Sequence, residues 1–222
     1  MSSELKKRIV TSFFLLFLLI LMFLYTYILM ISLIVITVIC WIELYSLISK
    51  ILYKDSFKNK ILNYLYKLLS LVYLSSLVFF ILTVKSKKPE LEIIIIYSIL
   101  ISIMSDMGGL IIGKIFKGRK LTKISPNKTK SGAIGSFIFS LFLIPFFINY
   151  LPVYNLLTLF FITLIISLTS QVGDLFISFL KRKAQVKNTS DLLPGHGGIL
   201  DRIDGIIFAI PIGFFIMNYF LS

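Results

Sequence analysis

Residues 27–48 read YILMISLIVITVICWIELYSLI, 22 residues with one charged side chain, Glu43. A helical membrane span needs about 20 predominantly apolar residues, so this stretch is long enough to cross a bilayer. Six further apolar stretches lie near 9–25, 67–84, 91–114, 132–149, 153–180 and 200–221. Together they predict an all-α, polytopic transmembrane helix bundle of about seven spans. Composition agrees: 58% of the 222 residues are hydrophobic and the mean hydropathy is +0.97, whereas soluble domains run near half apolar. Lys6, Lys7 and Arg8 precede the first apolar run, which continues almost unbroken to Ile48 with no small-residue cleavage site. That pattern reads as spanning structure rather than a cleaved signal.

Basic residues then set the orientation, because Lys and Arg mark cytoplasmic loops. Twenty of the 23 fall on one side of such a bundle: at the N-terminus, from Lys50 to Lys67 after the second span, from Lys114 to Lys130 after the fourth, and from Lys181 to Lys187 after the sixth, with Arg202 opening the last. Lys85, Lys87 and Lys88 share the opposite side with Glu90 and Glu92. The asymmetry predicts a cytoplasmic N-terminus and an odd span count, in a multi-pass protein of the cell (inner) membrane. A net charge of +13 also suits an anionic substrate or lipid surface. Short basic loops between spans do not suit nucleic acid. The one cysteine, Cys40, excludes an internal disulfide and a thiolate metal site. By chemistry the chain divides into N-terminal transmembrane helices, 1–99, and a candidate catalytic transmembrane region with cytosolic loops, 100–222. The second part carries the glycines, the sole histidine and most intramembrane carboxylates.

Charged groups within spans cost at least about 2.5–3.5 kcal/mol at the bilayer centre and point to function. The candidates are Glu43, Asp106, Asp174, Asp201 and Asp204. Asp201 and Asp204 stand three apart, so on a helix they share a face. Two carboxylates that close repel unless a cation lies between them, and Mg²⁺ suits hard oxygen ligands. Acidic residues near the positive end of a helix account for the same pair. Asp174, Ser178 and Lys181 follow at i, i+4 and i+7, a polar stripe that must face protein or water, as a packed polar cluster also would. Pro194-Gly195-His196-Gly197-Gly198 reads as a turn with exposed N–H groups that suit a phosphate, running into a helix start; His196 alone also reads as an ordinary turn residue. Ser125, Lys128 and Thr129 lie within five residues ahead of a helix, a pattern that suits a polyphosphate.

The run S-F-L-K-R from Ser178, four residues, Lys187, then L-P-G-H-G-G-I-L-D-R-I-D to Asp204 resembles the signature of phosphatidate cytidylyltransferases, the CDP-diglyceride synthetases. Ser105 to Gly109, Lys120-Leu121 with Ile124 to Thr129, and Gln171 to Leu175 are similar to that family's other motifs, so the resemblance covers roughly residues 100–210. It implies conversion of CTP and phosphatidate to CDP-diacylglycerol and pyrophosphate with Mg²⁺, a second monovalent or divalent cation, and a homodimer. It assigns Asp174, Asp201 and Asp204 to metal and catalysis together with Lys181 and Arg202. It assigns Ser125, Lys128, Thr129, Ser178, Arg182, Lys187, His196, Gly197 and Gly198 to the substrates. The chain departs from the pattern at Ile177, Asn188 and Ser131, where the family usually has an acid. Two alternatives stay open: a CTP-dependent lipid kinase and, because of those departures, a non-catalytic relative that binds nucleotide or lipid.

Overall fold

The computed structural model describes residues 13, 17, 18, 20–22, 24–53, 56–122, 124–151, 155–193, 195 and 197–220. The elements are helical: α1 (Thr26–Ile51), α2 (Phe57–Lys87), a 3-10 turn (Pro89–Leu91), α3 (Glu92–Phe116), α4 (Lys130–Leu141), α5 (Ile144–Phe147), α6 (Leu156–Lys183), α7 (Leu200–Ile203) and α8 (Ile206–Tyr219). The only β pairing among the described residues is two isolated bridges, Lys120 to Thr129 and Leu193 to Gly197.

Among the described residues, five stretches are long and apolar enough to span a membrane: Thr26–Ile51, Phe57–Lys87, Pro89–Phe116, Lys130–Phe147 and Leu156–Lys183. They correspond to the second through sixth of the expected seven. The expected first span, 9–25, lies mostly outside the described residues. The expected last one, 200–221, is not one helix: the four-residue α7 ends at Ile203, a turn at Asp204 and Gly205 follows, and α8 runs 14 residues around Pro211. The fifth breaks between α4 and α5, where Pro145 sits in the first turn of α5; proline lacks the N–H a continuous helix needs there. The third starts earlier than expected, so Lys58, Lys60 and Lys67 ride on α2 rather than in a loop.

The chain forms two compact units, Met1–Leu82 with Leu180–Ile203, and Thr83–Phe179 with Asp204–Ser222. In the first, Trp41 Nε1 donates to the Lys67 carbonyl at 3.2 Å, and the Lys67 ammonium lies 3.5 Å above the Tyr45 ring, a cation–π contact. These two contacts tie α1 to α2.

The second unit packs through small residues. A Cβ on Gly108 of α3 would stand 2.4 Å from the Gly135 carbonyl of α4, and one on Gly132 would stand 2.7 Å from the Gly109 carbonyl. Lipid offers helices no hydrophobic reason to associate, so close backbone approach and buried hydrogen bonds must hold them. The hydroxyls supply those bonds: Tyr97 with Thr163 at 2.7 Å, Ser102 with Ser170 at 2.6 Å, Ser140 to Ser167 at 3.0 Å, and Ser136 to the Ser105 carbonyl at 2.7 Å. All of these residues are buried. Gly108→Ala puts a methyl against a backbone oxygen that cannot swing away, so α3 and α4 must separate. The variant should lose about 1–3 kcal/mol of stability, read as a lower melting temperature of the detergent-solubilised protein.

Candidate active site

The segment after α6 is shaped by its own backbone. Gln185 takes a left-handed conformation, φ 57°. The Val186 N–H bonds back to the Lys181 carbonyl at 3.0 Å and the Gln185 N–H to the Arg182 carbonyl at 3.1 Å. That is a Schellman end, and it turns the chain out of the helix. Further on, Leu193 and Gly197 exchange N–H to carbonyl bonds of 2.8 and 3.1 Å. Gly195 and Gly197 have φ values of 77° and 84°, a region in which side chains are strained.

Asp201 gathers the loop. Its Oδ1 accepts from Lys181 Nζ at 2.6 Å. Its Oδ2 accepts from the Thr189 N–H at 2.9 Å and the Gly198 N–H at 3.1 Å, and the Thr189 hydroxyl, whose one proton it shares with Glu43, lies 3.0 Å away. The two charged side chains are 13% and 7% exposed. Asp201 lies outside the five long helices. Burial there opposes its ionisation, but the bond from Lys181, the N–H groups of Thr189 and Gly198 and the lysine charge outweigh burial and hold its carboxyl below the usual range.

Glu43 of α1 meets the same loop. It is 3% exposed and accepts four bonds: from Ser190 Oγ at 2.6 Å, Thr189 Oγ1 at 2.7 Å, the Leu200 N–H at 2.9 Å and the Ile199 N–H at 3.1 Å. The expectation of open amides is therefore corrected at Gly197 and Gly198. The N–H of Gly197 goes to Leu193, that of Gly198 to Asp201, and those of Ile199 and Leu200 to Glu43. The glycines serve close packing instead: a Cβ on Gly198 would stand 2.0 Å from Thr189 Oγ1 and 2.5 Å from Glu43 Oε2. Glu43 stood out in the sequence as a costly intramembrane carboxylate. Its partners did not, because they lie 146 to 157 positions away.

The second unit holds another lysine–carboxylate pair. Lys128 forms an ion pair with Asp174, and Ser178 Oγ donates to Asp174 Oδ1 at 3.3 Å. Lys128 is placed by a hairpin from Arg119 to Lys130, with bonds from the Leu121 N–H to the Lys128 carbonyl and from the Lys130 N–H to the Arg119 carbonyl, each 2.8 Å. The Thr129 side chain caps α4, accepting from the Gly132 N–H at 3.0 Å. Ser125 closes a turn, its carbonyl accepting from the Lys128 N–H at 3.0 Å. Asp204 is buried, and its Oδ1 accepts from the Gly205 N–H at 2.9 Å. It falls in the turn after α7, so no regular helix carries it together with Asp201. Arg182, Lys187 and Arg202 are exposed. His196 lies outside the described residues.

At the three departures from the family pattern the chain does other work. Ile177 is 1% exposed core. Ser131 Oγ accepts from the Gly118 N–H at 3.2 Å, closing the hairpin base. Asn188 packs against Gly197.

The donor chemistry fits a magnesium ion. Among the described residues, no three His, Cys, Asp or Glu side chains form a metal cluster. Magnesium, however, is usually held by one or two carboxylates plus substrate phosphates rather than by an all-protein cage. Asp174 and Asp201 each already hold a cation, the ammonium of Lys128 and of Lys181.

Removing one partner of a buried ion pair strands the other charge, which costs about 3–5 kcal/mol, whereas replacing both is close to neutral. The Lys181–Asp201 pair is part-buried, so Asp201→Asn should destabilise the protein by less than that, about 1–3 kcal/mol. Adding Lys181→Met should restore most of the melting temperature.

A family model described as cytidylyltransferase family matches residues 2–220. A phosphatidate cytidylyltransferase of Rickettsia bellii is 43% identical over 125 residues, 52% of this chain and 54% of its own length. One from Rickettsia typhi is 41% identical over 155 residues, 66% and 65% of the two chains, and one from Bacillus subtilis is 40% identical over 129 residues, 57% and 48%. This chain spans about half the length of the first curated relatives it matches, 54% and 52%. With a model match over nearly its whole length and a signature loop built around Lys181 and Asp201, the chain belongs to the cytidylyltransferase family.

Proposed function

We propose that this membrane protein transfers the cytidylyl group of CTP to phosphatidate, giving CDP-diacylglycerol and pyrophosphate. The observation that carries the reading is the Lys181–Asp201 pair, held in place by a loop with the family's signature sequence. The relatives named as phosphatidate cytidylyltransferases support the choice of substrates.

In the reaction a phosphate oxygen of phosphatidate attacks the α-phosphorus of CTP, the bond from that phosphorus to the bridging oxygen breaks, and pyrophosphate leaves. Little covalent chemistry falls to the protein in such transfers, and positioning and charge neutralisation dominate. Both substrates are polyanions. The loop amides of 197–200 are occupied internally, so the phosphates fall to the cationic side chains, Lys181, Arg182, Lys187 and Arg202 on one segment and Lys128 on the hairpin. Ser125, Thr129, Ser178 and His196 complete the proposed substrate contacts. Gly197 and Gly198 let the loop fold closely enough to present them. Magnesium bound with CTP would neutralise phosphate charge, with Asp174, Asp201 and Asp204 as its protein ligands.

The distribution of basic residues supports a cytoplasmic side for this chemistry. A cysteine at position 187 should react with an impermeant thiol reagent in inverted vesicles and be protected in intact spheroplasts. Protein incubated with labelled CTP and phosphatidate should form CDP-lipid and release pyrophosphate. Release of CDP with transfer of a single phosphoryl group would identify a lipid kinase instead. The wild-type gene should rescue a conditional strain lacking the synthase, and Asp174→Asn and Asp201→Asn should not.

A further inference from the structure

The first unit contains a buried carboxylate that the proposed chemistry does not use. Glu43 lies on α1, outside the signature segment, yet all four of its hydrogen-bond donors come from residues 189–200. Each carboxylate oxygen takes one hydroxyl and one backbone N–H: Oε1 from Ser190 and Ile199, Oε2 from Thr189 and Leu200. Burying a polar group is costly unless its hydrogen bonds are made within the protein, as they are here. Gly198 lies directly against the carboxylate, with no room for a side chain.

The bonds continue from there into the ion pair. Thr189, which donates to Glu43 through its hydroxyl, donates through its N–H to Asp201. Gly198, pressed on Glu43, also donates its N–H to Asp201. Asp201 in turn holds Lys181. The position of the Lys181 ammonium therefore depends on a residue of α1.

We infer that Glu43 is a positioning residue for nucleotide binding: it clamps residues 189–200 to α1 and so fixes Asp201 and Lys181 for the phosphates of CTP. This rests on the cytidylyl-transfer reading. The clamp needs four acceptor positions. Glutamine supplies one acceptor oxygen and turns an amide NH₂ toward two of the donors. Aspartate keeps both oxygens but is one methylene shorter.

The test uses the full-length protein in proteoliposomes, with Glu43→Gln, Glu43→Asp and Ser190→Ala compared with wild type. Two readouts are taken: steady-state kinetics, and hydrogen exchange of the peptide spanning 189–200. For Glu43→Gln the KM for CTP should rise about tenfold or more, since displacing a group that positions substrate has effects of that order. The KM for phosphatidate should stay near wild type, and the amides of Ile199 and Leu200 should exchange faster. Glu43→Asp and Ser190→Ala should fall between wild type and Glu43→Gln on both readouts. A purely structural role would lower the melting temperature and the active fraction but leave the KM for CTP unchanged, and that result would overturn the inference. Unchanged exchange across 189–200 in all three variants would overturn it as well. If wild-type protein makes no CDP-lipid, the cytidylyl-transfer reading fails, and the nucleotide role of Glu43 fails with it. An active wild type with an unchanged KM for CTP in Glu43→Gln and Ser190→Ala sinks the inference alone.

Discussion

A carboxylate sealed from water must find all its hydrogen bonds within the protein, and Glu43 can find them only if the loop 189–200 lies against α1. That requirement organises the first unit. It draws Thr189, Ser190, Ile199 and Leu200 to one point. It leaves room only for glycine at position 198. It also brings two amide donors to Asp201, whose charge then holds Lys181. Each step satisfies a group that burial would otherwise leave stranded.

The second unit meets a different demand with different residues. Helices in lipid gain little from apolar contact with one another, so its stability comes from close approach and from hydroxyls that pair inside the bundle. Gly108, Gly132 and Gly135 remove the side chains that would keep α3 and α4 apart. Ser102, Ser140, Ser167 and Ser170 supply partners where water cannot. Because Lys128 and Asp174 belong to this unit, rigid packing of α3, α4 and α6 gives that pair a fixed support. Of the positions where the chain departs from the family pattern, Ile177 is buried and Ser131 closes the hairpin base in this unit, whereas Asn188 lies against Gly197 in the first.

The membrane-spanning, all-helical class was legible because apolar run length is a property of sequence alone. Span boundaries were less so. Breaks at Pro145 and at Asp204-Gly205 divide runs that hydropathy treats as continuous, since hydropathy averages over the one or two residues that end a helix. Lys58, Lys60 and Lys67 were read as loop residues because charge lowers hydropathy, yet lysine is compatible with a helix. In the candidate site, Asp174, Lys128, Lys181 and Asp201 were identifiable by residue type and motif. Their pairing was not, because a lysine's choice among carboxylates depends on where the backbone places them.

The sequence by itself determined the class of molecule, the family and the residues able to carry charge. Apolar length, motif spacing and side-chain chemistry are all local to the chain. Tertiary structure decided how those groups are committed: which lysine neutralises which aspartate, and that the amides of residues 197–200 serve the protein's own partners. It also decided that Glu43, far from the signature in sequence, anchors the loop. The physical reason is that burial makes each donor and acceptor answerable to its nearest neighbours in space, and those neighbours are set by folding.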